Sequence, residues 1–379
     1  MIELDKEQNM ILETVRQITK EKIKPRAAEI DEKDEMPRDI IDLFAENGLL
    51  APLIPEEYGG INAGFILFSK IVEEISRISA SCALLIISQA DGIQPILNGG
   101  SKEMKERYLP GFVKGNIACF AATEPDAGSD IQSMRTSAVR KGDSYVINGQ
   151  KCFITNGSMA DTISLYAYTD PTKKSKGISV FAIDKGSKGL IYGKNERKMG
   201  MRGCVNSHLF FEDLVVPVGN RIGEEGDGFA SMMMAFEIGR VLTAAQAVGL
   251  AQGAIDEAVR YAKQRIQFGR PIAGFQAIQF MIAEMVTNTE AARLMTYQAA
   301  KYLDEKNRAK IPVSCAMAKF FASDNAMKVT TDAVQIMGGY GYLKDFPVER
   351  MMRDAKLIQI YTGTNQIMRM VTAREIFKD

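Results

Sequence analysis

Thr123-Glu124-Pro125-Asp126-Ala127-Gly128-Ser129-Asp130 is the stretch on which the fold is decided, and it follows an alanine-rich run from Ala118. Small residues and glycine let backbone N–H groups come close to a phosphate or a flat ring. Taken alone, the segment reads as a plain β-turn. A second glycine-rich stretch runs Gln335-Ile336-Met337-Gly338-Gly339-Tyr340-Gly341-Tyr342 and leads to Glu349, Arg350 and Arg353-Asp354. Alone, it reads as a helix C-cap and loop. A third, Ile360-Tyr361-Thr362-Gly363-Thr364-Asn365-Gln366, lies near the C-terminus.

Around these stretches the chain has 379 residues, 46% of them hydrophobic, enough for a large core and two or three structural units. Lys+Arg and Asp+Glu both total 47. The zero net charge gives no reason to expect nucleic acid or an anionic membrane as partner. The cysteines Cys82, Cys119, Cys152, Cys204 and Cys315 are scattered, odd in number and without CxxC spacing, which reads as reduced thiols in a cytoplasmic protein. The single histidine, His208, sits in an alternating segment and reads as a strand-face residue. Histidine-based metal sites and Ser-His-Asp triads are thereby excluded, and no metal is expected. The N-terminus lacks a basic stretch followed by an apolar one, so no secretory signal is expected. The apolar runs read as too short or too polar to span a bilayer.

The pattern changes character twice. Residues 1–115 read as an N-terminal helical domain, with Ile11, Val15 and Ile18, then Ile71, Ile75 and Ile78, at helical spacing. Pro55 to Gly60 reads as a turn between helices. Residues 116–228 read as a β domain. Tyr145-Val146-Ile147 and Cys152-Phe153-Ile154 flank Asn148-Gly149, a hairpin signal. Ile163–Tyr168, Ile178–Ile183 and Leu209–Val216 are further strands. Residues 229–379 return to helix. There Ala277, Ile278, Met281, Ile282, Met285 and Val286 form one apolar stripe, suited to a core or a subunit interface.

The first two glycine-rich stretches resemble the two signatures of acyl-CoA dehydrogenases, and the third resembles that family's C-terminal motif. Between them, Phe153 to Gly157, Lys198 to Gly203 and Arg265 to Gly269 look like family elements in the family's order. The resemblance runs from Pro55 to Arg374. It implies an α+β, mostly α fold: an N-terminal helical domain, a central β-barrel-like domain and a C-terminal four-helix bundle. It implies FAD as cofactor. Phe120, Ala122, Thr123, Gly128 and Ser129, with Phe153, Ile154 and Thr155, would line the flavin and its pyrophosphate. Arg265, Gln267, Phe268 and Gln276 would hold the adenosine-diphosphate end. Gln335, Gly338 and Gly339 would reach a neighbouring subunit's FAD, with Thr364 and Gln366 along the same cofactor. Glu237 and Arg240 would meet the CoA moiety of an acyl-CoA thioester; the other reading of Arg240 is a surface helical arginine. An electron-transferring flavoprotein and a homotetramer are the implied partners.

One residue departs from the pattern. Ordinary α,β-dehydrogenation needs a carboxylate to take the α-proton. The family commonly keeps that glutamate just before the glycine of the C-terminal motif, where this chain has Thr362. Its other family position, immediately before the arginine, is Gly239 here. Glu237 turns roughly 200° around the helix from Gly239 and is a poor substitute. Thr362 can still offer its backbone N–H to the thioester oxygen.

Asp91 is the remaining candidate base. It ends the apolar stretch Cys82–Ile87 at an expected Asp-Gly turn, which the resemblance places beside the acyl pocket. Apolar surroundings raise a carboxyl pKa and make a better base. The alternative is a cap for a helix beginning at Ile93. A base moved along the substrate needs an acidic C–H elsewhere, and the γ-hydrogen of an α,β-unsaturated thioester is vinylogously acidic. This points to the family branch that acts on cyclohex-1-ene-1-carboxyl-CoA, forming the 1,5-diene by 1,4-dehydrogenation. The alternatives are an enoyl-CoA reductase, an ordinary dehydrogenase of short or aryl acyl-CoA, and a silent flavin- or CoA-binding scaffold.

Overall fold

Asp5 opens the first helix with a reciprocal cap: its carboxylate accepts the Gln8 N–H at 2.8 Å, and its own N–H donates to Gln8 Oε1 at 3.2 Å. The computed structural model describes residues 4–378. Helices α1 (Lys6–Ile18), α2 (Ala27–Lys33), α3 (Arg38–Glu46), α4 (Gly64–Ser76), α5 (Ala80–Gly99) and α6 (Lys102–Val113) come first. Strands β1 (Ala118–Ala121), β2 (Ser137–Lys141), β3 (Ser144–Thr155), β4 (Thr162–Tyr168), β5 (Ile178–Asp184), β6 (Leu190–Asn195), β7 (Asn206–Pro217) and β8 (Arg221–Ile222) follow. Then come α7 (Gly228–Gln264), the short pair β9 (Ile266–Gln267) and β10 (Arg270–Pro271), and α8 (Gln276–Asp304), α9 (Ile311–Met337), α10 (Pro347–Ile358) and α11 (Asn365–Ile376). The fold is mostly helical with one central sheet, as the sequence led us to expect.

The sheet order is β6-β7-β3-β2-β4-β5-β8, with β1 alongside β4. β4 runs parallel to β1 and β2, and the other neighbours are antiparallel. One apolar core joins all three regions: Phe68 of α4, Leu85 of α5, Ile163 of β4, Leu242 of α7 and Val329 of α9 belong to the same cluster. The long α7 packs against α4, α5, α8 and α9 and is the axis of the molecule.

Two turn readings are corrected. Asn148-Gly149 does not turn the chain; both residues lie inside the continuous strand β3. The pair instead makes a bulge against β7, where the register shifts between Ile147 and Gly149. Gly149 has φ +146°, and a Cβ there would lie 2.5 Å from Thr136 Oγ1. Asn148 exchanges hydrogen bonds with Asp213 across the same bulge. The hairpin falls earlier, at Gly142 (φ +61°), where Lys141 pairs with Ser144.

Asp91-Gly92 is not a turn either. Both residues sit inside α5, whose N-cap is Ser79. Gly92 is there for close approach: a Cβ would stand 2.7 Å from the backbone nitrogen of Cys119 in β1. Ser164 of β4 donates to the Gly92 carbonyl at 2.7 Å. The bilayer reading is corrected as well. Ala80–Gly99 has the length and apolarity to cross a membrane, yet 89% of its most apolar window is buried in the protein. It is a core helix. All five cysteines are free and buried. His208 is half-buried on β7, with Nε2 3.1 Å from Glu196.

Candidate active site

Three elements converge on one point. α5 brings Asp91, α7 brings Gly239, and the α10–α11 loop brings Thr362. A Cβ built on Gly239 would stand 3.0 Å from Asp91 Oδ1 and 3.0 Å from Thr362 Cγ2. The two expected glutamate positions and the substitute carboxylate are therefore immediate neighbours. The loss of a side chain at 239 is what leaves room for Asp91.

Asp91 is not a helix cap. Its Oδ1 is buried and has no hydrogen-bond partner among the described residues. Asp91 as a whole is partly exposed although protein packs around it, as expected of a group lining an internal cleft. Burial pushes the carboxyl up to about 8. The phenols of Tyr166 and Tyr361 are close enough for the Asp91 charge to raise them further, on top of burial. Among the described residues no cation offsets the carboxylate. Such a group is a strong base once ionised, and nothing in the fold explains it as a structural contact.

The rest of the cleft is ordered by hydrogen bonds. Tyr361 donates to Gln246 Oε1 at 2.5 Å, and Gln246 Nε2 donates to the Ala80 carbonyl at the start of α5 at 2.8 Å. Thr243 Oγ1 reaches Thr362 Oγ1 at 3.5 Å. Thr362 lies at φ +52°, unusual for a β-branched residue. Its N–H finds no acceptor among the described residues, which leaves it free for a ligand oxygen. Phe120 of β1 packs on Tyr166 at 4.8 Å and on Phe236, one turn before Gly239, at 5.5 Å.

Arg240 is not a surface arginine. It is 7% exposed, and its Nε lacks a partner among the described residues. Burial lowers its pKa, and its electrostatic neighbours are Cys315, Glu237 and Arg374. Glu237 is half-buried, and burial raises its carboxyl despite Arg240. It does not share the contact at Gly239.

The residues that the sequence assigns to the flavin lie on β1, β3 and the loop between β1 and β2. Cys152 N–H donates to the Thr123 carbonyl at 2.9 Å, which ties Thr123 to Phe153 and Thr155. Ser88, one turn before Asp91, donates to the Thr155 carbonyl at 3.4 Å. Beneath the loop lies a buried pair, Lys151 Nζ to Glu124 Oε1 at 2.8 Å, with Lys151 also donating to the Ala122 carbonyl at 2.9 Å. Glu124 accepts the N–H groups of Arg135 and Thr136 as well. Burial raises the Glu124 carboxyl, but Lys151 and these donors outweigh it and hold it low. Ala122 and Ile154 are buried.

The residues fit a large planar cofactor. Phe153 is 64% exposed at φ +57° and Phe268 is 92% exposed at φ +49°, each an apolar ring held in solvent by a costly backbone. Gly128, Gly269, Gly338 and Gly339 border open space. Arg265, Gln267, Gly338, Gly339 and Tyr340 line one cleft of about 600 Å³, with the Arg265 guanidinium 5.4 Å from the Tyr340 ring centre. The resemblance assigned Arg265 and Gln267 to one cofactor and Gly338 and Gly339 to a neighbour's. In the structure they line one cleft, where Arg265 at the end of α7 stands over the Tyr340 ring just after α9. Gln276 opens α8, and Gln335 and Gln366 are exposed. Thr364 caps α11 by accepting the Ile367 N–H at 3.3 Å.

Sequence reasoning missed Lys319 and Lys151. Both are fully buried and both hold backbone carbonyls of the site. The signal for Lys319 was present: it lies on the apolar face of α9 with Cys315, Ala318, Ala322 and Ala326.

The comparisons agree with this geometry. The acyl-CoA dehydrogenase N-terminal, middle and C-terminal domain families match residues 5–116, 119–214 and 226–377. The cyclohex-1-ene-1-carbonyl-CoA dehydrogenase of Geobacter metallireducens is 57% identical over 378 residues, covering 99% of this chain and 99% of that protein. That of Syntrophus aciditrophicus is 56% identical over 378 residues, covering 99% of this chain and 91% of that protein. The butyryl-CoA dehydrogenase structure from Megasphaera elsdenii superposes with a TM-score of 0.96 at 39% identity, covering 100% of both chains. By its domains and by full-length similarity, the chain belongs to the acyl-CoA dehydrogenase family.

Proposed function

We propose that this protein is an FAD-dependent dehydrogenase that converts cyclohex-1-ene-1-carboxyl-CoA to the 1,5-diene by 1,4-elimination, with Asp91 as the base. One observation carries the reading: an unpartnered, buried carboxylate oxygen stands beside Gly239 and Thr362, where the family's usual glutamates are missing. The names of the two relatives at 56% and 57% identity support the same substrate.

Asp91 takes the proton from ring carbon 3, whose C–H is acidified by conjugation through the C1=C2 bond to the thioester carbonyl. The Thr362 N–H donates to the thioester oxygen, which gathers the charge as that proton leaves. The flavin, when bound, supplies the acceptor for the hydride that leaves ring carbon 6. Phe120, Tyr166 and Phe236 form an apolar wall that excludes water. Glu237 and Arg240 meet the CoA moiety, and the buried, unpartnered Arg240 Nε suits an anionic or carbonyl acceptor. The flavin is held by the β1–β3 face, with Phe153, Thr155, Gly128 and Ser129, and by the Arg265–Gly339 cleft of a neighbouring subunit.

An electron-transferring flavoprotein as electron acceptor and a homotetramer belong to the same proposal. The half-buried stripe Ile278, Met281 and Ile282 with exposed Val286 on α8 suits subunit contact. The test is direct. Purified holoprotein is mixed anaerobically with cyclohex-1-ene-1-carboxyl-CoA and, separately, with butyryl-CoA. The reading expects bleaching of the oxidised flavin band and diene formation with the first only. Fast turnover of butyryl-CoA would restore ordinary α,β-dehydrogenation, and no bleaching with any thioester would leave a scaffold.

A further inference from the structure

We propose that Lys319 is a positioning residue for this reaction: its buried side chain grips the Gly363 carbonyl and so holds Thr362 with its N–H turned to the thioester. Lys319 lies on α9 and is fully buried. Its Nζ donates to the Gly363 carbonyl at 2.7 Å and to Asn365 Oδ1 at 3.0 Å. No carboxylate among the described residues touches it, which is unusual for a buried ammonium. Asp324 of the same helix raises its pKa and Arg240 of α7 lowers it, while burial dominates and brings it to about 7.

The loop it grips needs holding. Thr362 at φ +52° and Gly363 at φ +89° are consecutive left-handed residues, and the first is β-branched. The ends of the loop are also tied to Asp324, and Lys319 reaches one of them through Asn365. Gln359 and Asn365 both donate to Asp324 Oδ1 at 2.7 Å, and the Asn365 N–H donates to the Gln359 carbonyl at 3.1 Å. Between those ends, among the described residues, Lys319 supplies the one side-chain bond to the backbone of residues 360–364. The contact acts two peptide units along the chain from the N–H that the reaction uses. Backbone strain of this kind persists only where the surroundings enforce it.

The ligand-dependent half of this inference rests on the thioester reading above, so the test has two arms. In the first, amide hydrogen exchange of residues 359–366 is compared in ligand-free holoprotein and Lys319→Met. Exchange at least tenfold faster in the variant, with α9 still protected, is expected; unchanged exchange overturns the proposal. In the second, cinnamoyl-CoA is bound and its absorption maximum read, since a conjugated thioester shifts to longer wavelength when its carbonyl accepts hydrogen bonds. The expected result is loss of at least half the shift, with kcat down at least thirtyfold and KM within threefold. A faster-exchanging loop that keeps the full shift and kcat makes Lys319 merely structural and overturns the proposal. If Lys319→Met fails to fold, Lys319→Gln is read in both arms with the same criteria. If wild-type protein binds no thioester, the functional reading fails, while the exchange arm still decides whether Lys319 holds the loop.

Discussion

Asp91 and Thr362 meet across the bare α-carbon of Gly239: the site of a Cβ there is 3.0 Å from the carboxylate of one and 3.0 Å from the methyl of the other. Three chain segments more than a hundred residues apart thus settle one question of chemistry. The carboxylate occupies the space that a side chain at 239 would fill, and Thr362 closes the cleft beside it.

Removing the base tests its role. Asp91→Asn keeps the shape and the apolar packing but cannot take a proton. The expected loss in kcat for the cyclic enoyl thioester is about 10²- to 10⁴-fold, the usual contribution of a positioned general base. Flavin content, read from the protein-to-flavin absorbance ratio, stays at the wild-type value.

The pH dependence follows from burial. Asp91 acts only when ionised, and its carboxyl is pushed up to about 8. On the free enzyme, kcat/KM for the cyclic substrate therefore rises with pH and levels off above about 8. The same shift sets the sign for stability. The folded state keeps the proton between the ordinary carboxylate range near 4 and about 8, while the unfolded chain does not. Asp91 thus favours the fold least at high pH. Asp91→Asn gains Tm over wild type at pH 9, and the difference shrinks at pH 5; thermal melts at both values check it.

Gly239→Ala probes the crowding. Its methyl would press on both Asp91 and Thr362 at 3.0 Å, closer than such contacts normally allow. Overpacking of this kind costs about 1–3 kcal/mol. The displacement falls on the base itself, so kcat drops at least tenfold while the fold survives. A variant with wild-type kcat and KM would show that the three groups are not held as tightly as the geometry indicates.

Lys151→Met leaves Glu124 buried without its partner beneath the 123–130 loop. Breaking one side of a buried pair costs about 3–5 kcal/mol. The expected outcome is a lower Tm and weaker flavin retention, measured by flavin released on gel filtration. Retention equal to wild type would separate that pair from the cofactor face.

Much of this was legible before any coordinates. Helical spacing at Ile11, Val15 and Ile18 marks a real helix, because periodicity records which face is buried; the run Ile163–Tyr168 marks a strand buried on both faces. Asn148-Gly149 and Asp91-Gly92 misled for one reason. Both pairs look like turns locally, yet each glycine is required by a neighbour, Thr136 in one case and the β1 backbone in the other. Lys319 and Lys151 escaped notice because a lysine in a sequence does not reveal that its partners, backbone carbonyls among them, come from distant loops.

By itself, the order of residues determined the family, the succession of helix, sheet and helix, and the vacancy at both glutamate positions, since these are properties of local pattern and motif. It left Asp91 suspended between base and cap. Tertiary structure alone decided that, because an acid's role depends on what surrounds it: buried in α5, without a cation, and pressed against Gly239 and Thr362, the carboxylate has only a substrate left to meet.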